Sequence, residues 1–156
     1  MREKRSLTFT DWDSIESDLR LLLQGYESLG KWNLAQTAMH LNDWLNFPMD
    51  GFPTPPFPLR LIFPIIRLTV GRKQLREILA NGFLPNIPTM PSTVHEATAA
   101  QDRAAVEKLL ATIARFRQYT GPMKPSPLFG QMDRDTVQKL QFIHFAHHLN
   151  LLVPRV

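Results

Sequence analysis

A chain of 156 residues, 44% hydrophobic and 21% charged, has the composition of a folded domain large enough to bury a core. The absence of cysteine excludes disulfide bridges, thiolate metal sites and a cysteine nucleophile. The formal net charge of +4 is dispersed and forms no basic stripe with interleaved aromatic residues, so we expect no nucleic-acid partner.

The first two predicted helices span residues 11–24 and 33–47. In the first, apolar residues recur at the spacing of one buried helix face: Ile15, Leu19, Leu22 and Leu23. The second begins with Asn33 as its N-cap, followed by a glutamine in the capping-box position. Its predicted end comes just before Pro48, which disfavours helical backbone in the preceding residue.

A proline-rich crossover, roughly residues 48–98, separates the second long helix from the third. Within it, the sequence predicts a helix over 72–80, partial helix over 58–69 and a proline-punctuated loop over 83–91. An apolar stretch in this segment is interrupted by two arginines and a proline, so it falls short of the roughly 18 apolar residues that span a membrane.

The last two long helices are predicted over residues 99–119 and 133–152. Two short links and one long crossover favour a four-helix bundle, and weak strand signals complete an all-α prediction for one domain, residues 1–156. The first five residues, which we expect to be frayed, lack the apolar centre of a signal peptide. We therefore expect a cytoplasmic protein with no membrane partner.

Three histidines form a candidate metal site. His144 and His148 are four residues apart, about 40° around a helix, so they share one face. His147 lies about 60° and 100° from them and is not expected to join both on one ion. His40, near the middle of the second helix, can supply a third nitrogen if the second and fourth helices are neighbours.

Each histidine taken alone is also typical of an ordinary packed side chain, but two buried imidazoles without partners would be costly. Three histidines without a fourth ligand describe an open divalent site, and zinc, nickel, copper and cobalt all suit imidazole. We expect zinc or nickel. Asp43, one turn from His40, either orients that ring or is solvated, and the helical wheel favours solvent; His95 is predicted to have no role.

Three segments resemble the DinB-like superfamily of metal-binding four-helix bundles, which includes bacillithiol S-transferases and mycothiol-dependent maleylpyruvate isomerase. The segment Trp32–Leu41 is similar to the helix-two motif that ends near the first ligand, His40, and 143–148 is similar to the terminal H-x-x-H-H motif. The segment 126–132 resembles the start of the last helix in an uncharacterised branch of that superfamily. The resemblance implies His40, His144 and His148 as the metal ligands.

The sequence departs from that branch at several positions. Ser126 replaces a usual histidine and Val137 a common tryptophan, while Leu149, Asn150 and Leu151 replace the residues that usually follow the histidine pair. The metal ligands are retained. These departures weaken the inference that this chain shares a co-substrate with that branch.

The resemblance and the open site together favour a metal-dependent thiol S-transferase, in which the ion holds a small thiol as its thiolate. Arg67, Arg72 and Arg76 are candidates to bind the carboxylates of that thiol. Two alternatives stay open: a metal-dependent hydrolase, and a non-catalytic bundle stabilised by its metal.

A homodimer is also predicted. Phe142, Phe145 and Leu149 lie on the flank of the fourth helix away from the histidines, and one bundle is not expected to bury them all. The crossover could cover them instead.

Overall fold

The computed structural model describes residues 3–85 and 89–155, which form a mostly helical structure with one small sheet. In chain order the helices and strands are α1 (Trp12–Leu22), β1 (Tyr26–Ser28), α2 (Leu34–Asp50), α3 (Leu59–Ile66), α4 (Arg72–Asn81), α5 (Asp102–Gln118), α6 (Arg134–Leu149) and β2 (Leu152–Pro154). A π-helical turn, Arg67–Gly71, joins α3 to α4, and 3₁₀ turns cover Pro91–Thr93 and Ala99–Gln101. Across the described ranges, every helix is too short or too polar to cross a membrane.

The hydrophobic core is built from α1, α2, α5 and α6. At one end of it, the indole of Trp12 lies 5.4 Å from the ring of Phe116, 4.9 Å from Phe142 and 5.9 Å from Phe145, measured between ring centroids. The predicted exposure of the α6 flank is therefore wrong: Phe142 is 7% exposed, and Phe145 and Leu149 are fully buried. Trp12 on α1 supplies an aromatic ring that contacts both phenylalanines within one chain.

The helix α2 continues past its predicted end and includes Pro48 in its last turn. A proline has no N–H, so the carbonyl oxygen of Trp44 loses its usual partner four residues later. The side chain of Gln141 on α6 replaces that partner, because its Nε2 donates to the Trp44 carbonyl at 3.1 Å. This hydrogen bond compensates for the proline and joins α2 to α6.

The sheet corrects the all-α prediction. The fourth long helix ends at Leu149, and the residues after Leu151 form β2, which pairs antiparallel with β1 in the register Tyr26 to Pro154. Such three-residue strands carry too little alternation to be visible in the sequence. The hydroxyl of Tyr26 accepts a hydrogen bond from the Leu34 N–H at 2.9 Å, so the sheet also fixes the start of α2.

The N-terminal segment is held in place, contrary to the expectation that it is frayed. The guanidinium of Arg5 donates to both carboxylate oxygens of Asp18, at 2.6 and 2.9 Å, and to the Leu149 carbonyl at 2.8 Å. Of this segment, residues 1–2 lie outside the described residues.

The crossover forms one nearly continuous helical segment from α3 to α4, which confirms the helix predicted over 72–80. A Cβ atom on Gly71 would lie 2.1 Å from the Leu128 carbonyl oxygen, so a glycine is required where this segment meets the 126–130 loop. Several large apolar side chains of α3 and the π-helical turn are exposed. The predicted 83–91 loop is without helix at 83–85 and 89–90, and residues 86–88 lie outside the described residues.

Candidate metal centre

The structure brings His40, His144 and His148 together between α2 and α6. The Nε2 atom of His144 lies 3.1 Å from Nε2 of His40 and 3.1 Å from Nε2 of His148. One ring nitrogen from each residue lies within 4.8 Å of the others. Because α2 packs against α6, His40 near the middle of α2 meets the two histidines in the last turns of α6.

The protonation of His40 follows from its contacts with Thr93 in the crossover. His40 Nδ1 lies 3.1 Å from the Thr93 hydroxyl oxygen and 3.2 Å from the Thr93 carbonyl oxygen. The hydroxyl proton is already donated to the Met90 carbonyl at 2.8 Å, so both oxygens of Thr93 act as acceptors toward the ring. His40 therefore carries its proton on Nδ1, and its Nε2 presents a lone pair to the other two histidines.

Burial keeps the three imidazoles neutral. His40 is 2% exposed, and burial lowers its pKa from 6.5 to about 4. Burial also lowers the pKa of His148 to about 3 and that of His144 well below its usual value, with the neighbouring histidines contributing in the same direction. Neutral imidazole is the form that binds metal, so no proton needs to leave these rings at neutral pH.

Aromatic side chains enclose the three rings. The indole of Trp32 stacks on His148, with ring centroids 5.5 Å apart and planes 12° apart, and it also contacts His40 at 5.0 Å. The indole of Trp44 meets His144 edge-on at 5.8 Å, and the ring of Phe83 lies 5.5 Å from His144. These contacts fix the ring orientations and limit access of water to the nitrogens.

The spacing of the nitrogens fits a shared cation better than hydrogen bonds. A neutral His144 Nε2 offers either one proton or one lone pair, so it cannot make two good hydrogen bonds at once. Two nitrogens bound at about 2.05 Å to one tetrahedral ion lie roughly 3.3 Å apart, close to the observed separations. The three histidines could therefore hold a metal ion, and within the described residues the cluster includes no carboxylate.

The other candidate residues lie outside this cluster. His147 is half-buried, with its ring 5.6 Å from Phe83 and 5.0 Å from His148. Asp43 does not contact the His40 ring and is not simply solvated. Its carboxylate lies 2.6 Å from Nε2 of His95. His95 lies outside the cluster, and its pair with Asp43 joins α2 to the segment after Thr93.

Of the positions that depart from the resembled branch, three make contacts with their side chains and two, Asn150 and Leu151, with backbone carbonyls. The Ser126 hydroxyl accepts hydrogen bonds from the backbone N–H groups of Leu128 and Phe129, at 3.2 and 3.1 Å. Val137 and Leu149 are buried in the core, and the carbonyl of Leu151 accepts from the Leu29 N–H at 2.8 Å. The remaining one, Asn150, accepts the Arg5 backbone N–H through its carbonyl oxygen.

Three residues that sequence reasoning did not assign to the site contribute to it: Thr93, Trp44 and Phe83. Trp44 shares the His40 face of α2, and this spacing is a usable signal in the sequence. Thr93 and Phe83 lie in irregular segments, where no periodicity indicates the direction of a side chain.

A family model described as a protein of unknown function, DUF1569, matches residues 1–155, nearly the whole chain. The chain belongs to this family. The match confirms the part of the prediction that placed the chain in an uncharacterised family. No curated protein and no solved structure matches the chain significantly.

Proposed function

We propose that this chain is a DinB-like four-helix bundle, in one domain, that binds one divalent ion through His40, His144 and His148. The observation that carries the proposal is the convergence of three neutral Nε2 atoms, two pairs of which are 3.1 Å apart. The Nδ1 contact of His40 with Thr93 supports it, because metal-binding imidazoles commonly donate their second N–H to an oxygen. Zinc and nickel are the ions we expect.

We further propose that the site activates a small thiol for transfer. When bound by three neutral ligands, a divalent ion supplies the positive charge that stabilises a coordinated thiolate. The chain's own contribution is to hold the three nitrogens and to enclose them with Trp32, Trp44 and Phe83. The absence of cysteine fits a chemistry in which the thiol comes from the substrate.

Hydrolysis is the less favoured alternative. A metal-bound water normally needs a carboxylate base beside it, and the nearest acid along α2, Asp43, is paired with His95 at 2.6 Å. A non-catalytic role, in which the metal only stabilises the fold, remains the outcome to expect if no thiol binds.

The ligand set is tested by elemental analysis of purified variants. His40→Ala, His144→Ala and His148→Ala should each lose most of the metal. His147→Ala is the matched control: it removes a histidine adjacent to the cluster and should retain one ion per chain. Full metal content in His144→Ala, which removes the nitrogen between the other two, would overturn the assignment.

The thiol step is tested with the cobalt-substituted protein. Adding a small thiol such as 2-mercaptoethanol should produce a sulfur-to-metal charge-transfer band and release one proton. The His148→Ala variant and the metal-free protein should give neither signal. If the cobalt protein gives no thiol-binding signal but hydrolyses an activated ester, the hydrolase alternative replaces the transferase.

The homodimer also remains a proposal, and it now requires a different surface because the α6 flank is buried. Sedimentation at micromolar protein concentration measures the oligomeric state directly. A monomer there would remove the homodimer from the proposal.

A further inference from the structure

A cavity of about 330 Å³ lies beside α3, and none of the three histidines lines it. Its walls come from the segment after α2, from α3 and the π-helical turn, and from residues 124–127. Three cationic side chains line it, Arg60, Arg67 and Lys124, and none of its lining residues is acidic. The cavity is therefore a concave site with an unbalanced positive charge.

The side chain of Arg67 is held in position by packing and not by an acid. A Cβ atom on Gly130 would lie 2.8 Å from Cδ and 3.0 Å from Cγ of Arg67, so the glycine makes room for the stem of the arginine. The Nε atom of Arg67 is buried and has no hydrogen-bond acceptor. Within the described residues the Arg67 guanidinium makes no hydrogen bond or ion pair, so the chain does not balance its charge.

The other two cations are also without a carboxylate partner in the described part of the chain. The guanidinium of Arg60 lies 5.5 Å from the centroid of the Phe57 ring, which orients it without neutralising it. The backbone N–H of Lys124 donates to the Pro48 carbonyl at 2.7 Å, so this wall is fixed to the last turn of α2. Elsewhere in the same helical segment, by contrast, Lys73 lies 3.9 Å from the carboxylate of Glu77.

The remaining walls are apolar and stiff. Phe52 and Phe63 provide aromatic surface, and five prolines line the same cavity: Pro53, Pro55, Pro64, Pro125 and Pro127. Proline fixes the backbone dihedral φ, so the cavity is largely formed before a ligand arrives. Its volume and its few cationic groups match those of small-molecule sites, in which polar groups orient a mainly apolar ligand.

We propose that this cavity binds a small organic acid, with its carboxylate or phosphate group on Arg67, Arg60 and Lys124 and its flat apolar part between Phe52 and Phe63. Arginine suits both acid groups because its fork of N–H donors can engage two oxygens. The inference goes beyond the metal site and does not depend on it. The two sites are neighbours, however, since the ring of Phe52 lies 6.4 Å from that of Trp44, which contacts His144 at 5.8 Å.

Calorimetric titration tests the proposal with matched probes on the purified full chain. Phenyl phosphate and phenylacetate should both bind, whereas benzyl alcohol, which has the ring without the charge, should not. The tighter of the two acids identifies the acid group that the cavity prefers. Inorganic phosphate should bind at least tenfold more weakly than phenyl phosphate if the aromatic walls contribute.

Variants assign the binding to this cavity. Arg67→Gln and Lys124→Gln should each weaken phenyl phosphate binding tenfold or more. Arg103→Gln is the matched control, because it removes one exposed positive charge from α5 outside the cavity and should leave affinity within twofold. Lys124 is exposed, so its variant should fold even if Arg67→Gln does not.

Equal affinity in Lys124→Gln and Arg103→Gln, or no binding of either acid, would overturn the proposal. The His148→Ala variant separates it from the proposed function: this variant should lose metal yet bind phenyl phosphate like the original chain. Loss of phenyl phosphate binding in that variant would show that the anion binds at the metal instead.

Discussion

The hydrogen bond from Gln141 to the Trp44 carbonyl can be tested with a double-mutant cycle. The carbonyl needs this donor because Pro48 has no N–H to donate to it within the helix. In Gln141→Leu the carbonyl loses its donor, and an unpaired buried acceptor costs about 1–3 kcal/mol. Part of this cost is offset, because the substitution also removes the Oε1 atom of Gln141, which is itself buried without a partner. We expect Gln141→Leu to lower the free energy of unfolding by about 1 kcal/mol.

The background Pro48→Ala changes this result. An alanine at position 48 has an N–H that can donate to the Trp44 carbonyl, as in an ordinary helix. Gln141→Leu should then cost little, which gives a coupling energy of about 1 kcal/mol between the two positions. Urea denaturation of the four proteins, followed by circular dichroism, measures the cycle. Additivity within about 0.3 kcal/mol would refute the compensating role of Gln141.

Three further predictions concern the histidines, the loop before α6 and the contact with Thr93. In the metal-free protein, the free energy of unfolding should fall between pH 7 and pH 5, because His40 has a pKa of about 4 when folded and about 6.5 when unfolded, so the unfolded chain binds the extra proton. The loss should be on the order of 2 kcal/mol for this residue at pH 5. Urea denaturation at each pH measures it, and an unchanged free energy of unfolding would contradict the prediction. Gly130→Ala should destabilise the fold less in an Arg67→Ala background than in the original chain, since an added Cβ would lie 2.8 Å from Cδ of Arg67; an equal loss of melting temperature in both backgrounds would argue against the packing role. Thr93→Val should weaken metal binding about tenfold, measured in competition with a chelating dye. The control Thr112→Val removes a buried hydroxyl bonded to Asn42 on α2 and should not weaken it. Equal losses in the two variants would count against a role of Thr93 in orienting the His40 imidazole.

The long helices were predictable because their signals are local. The capping box at Asn33 forms as the sequence indicates: its side chain accepts from the Gln36 N–H, and the Gln36 side chain accepts from the Asn33 N–H. The shared face of His144 and His148 follows from helix geometry alone, and so does the separation of His147 from the cluster. These features need only residues within two helical turns of one another.

The errors have an equally physical cause. Ending α2 before Pro48 was wrong because the missing N–H is compensated by Gln141, about a hundred residues later in the chain. The exposed flank predicted on α6 was wrong because Trp12 covers it. In both cases a partner distant in sequence changes the cost of a local feature, and no periodicity reports such a partner.

The sequence by itself therefore determined which three histidines could hold a metal ion, the helices that carry them and the face on which two of them lie. Only the tertiary structure decided that His40 reaches His144, that Thr93 fixes its tautomer and that Asp43 pairs with His95 instead. The reason is that helical periodicity fixes the direction of a side chain around its own axis, whereas the distance between two helices depends on core packing. A site shared by α2, α6 and the crossover exists only once that packing is formed.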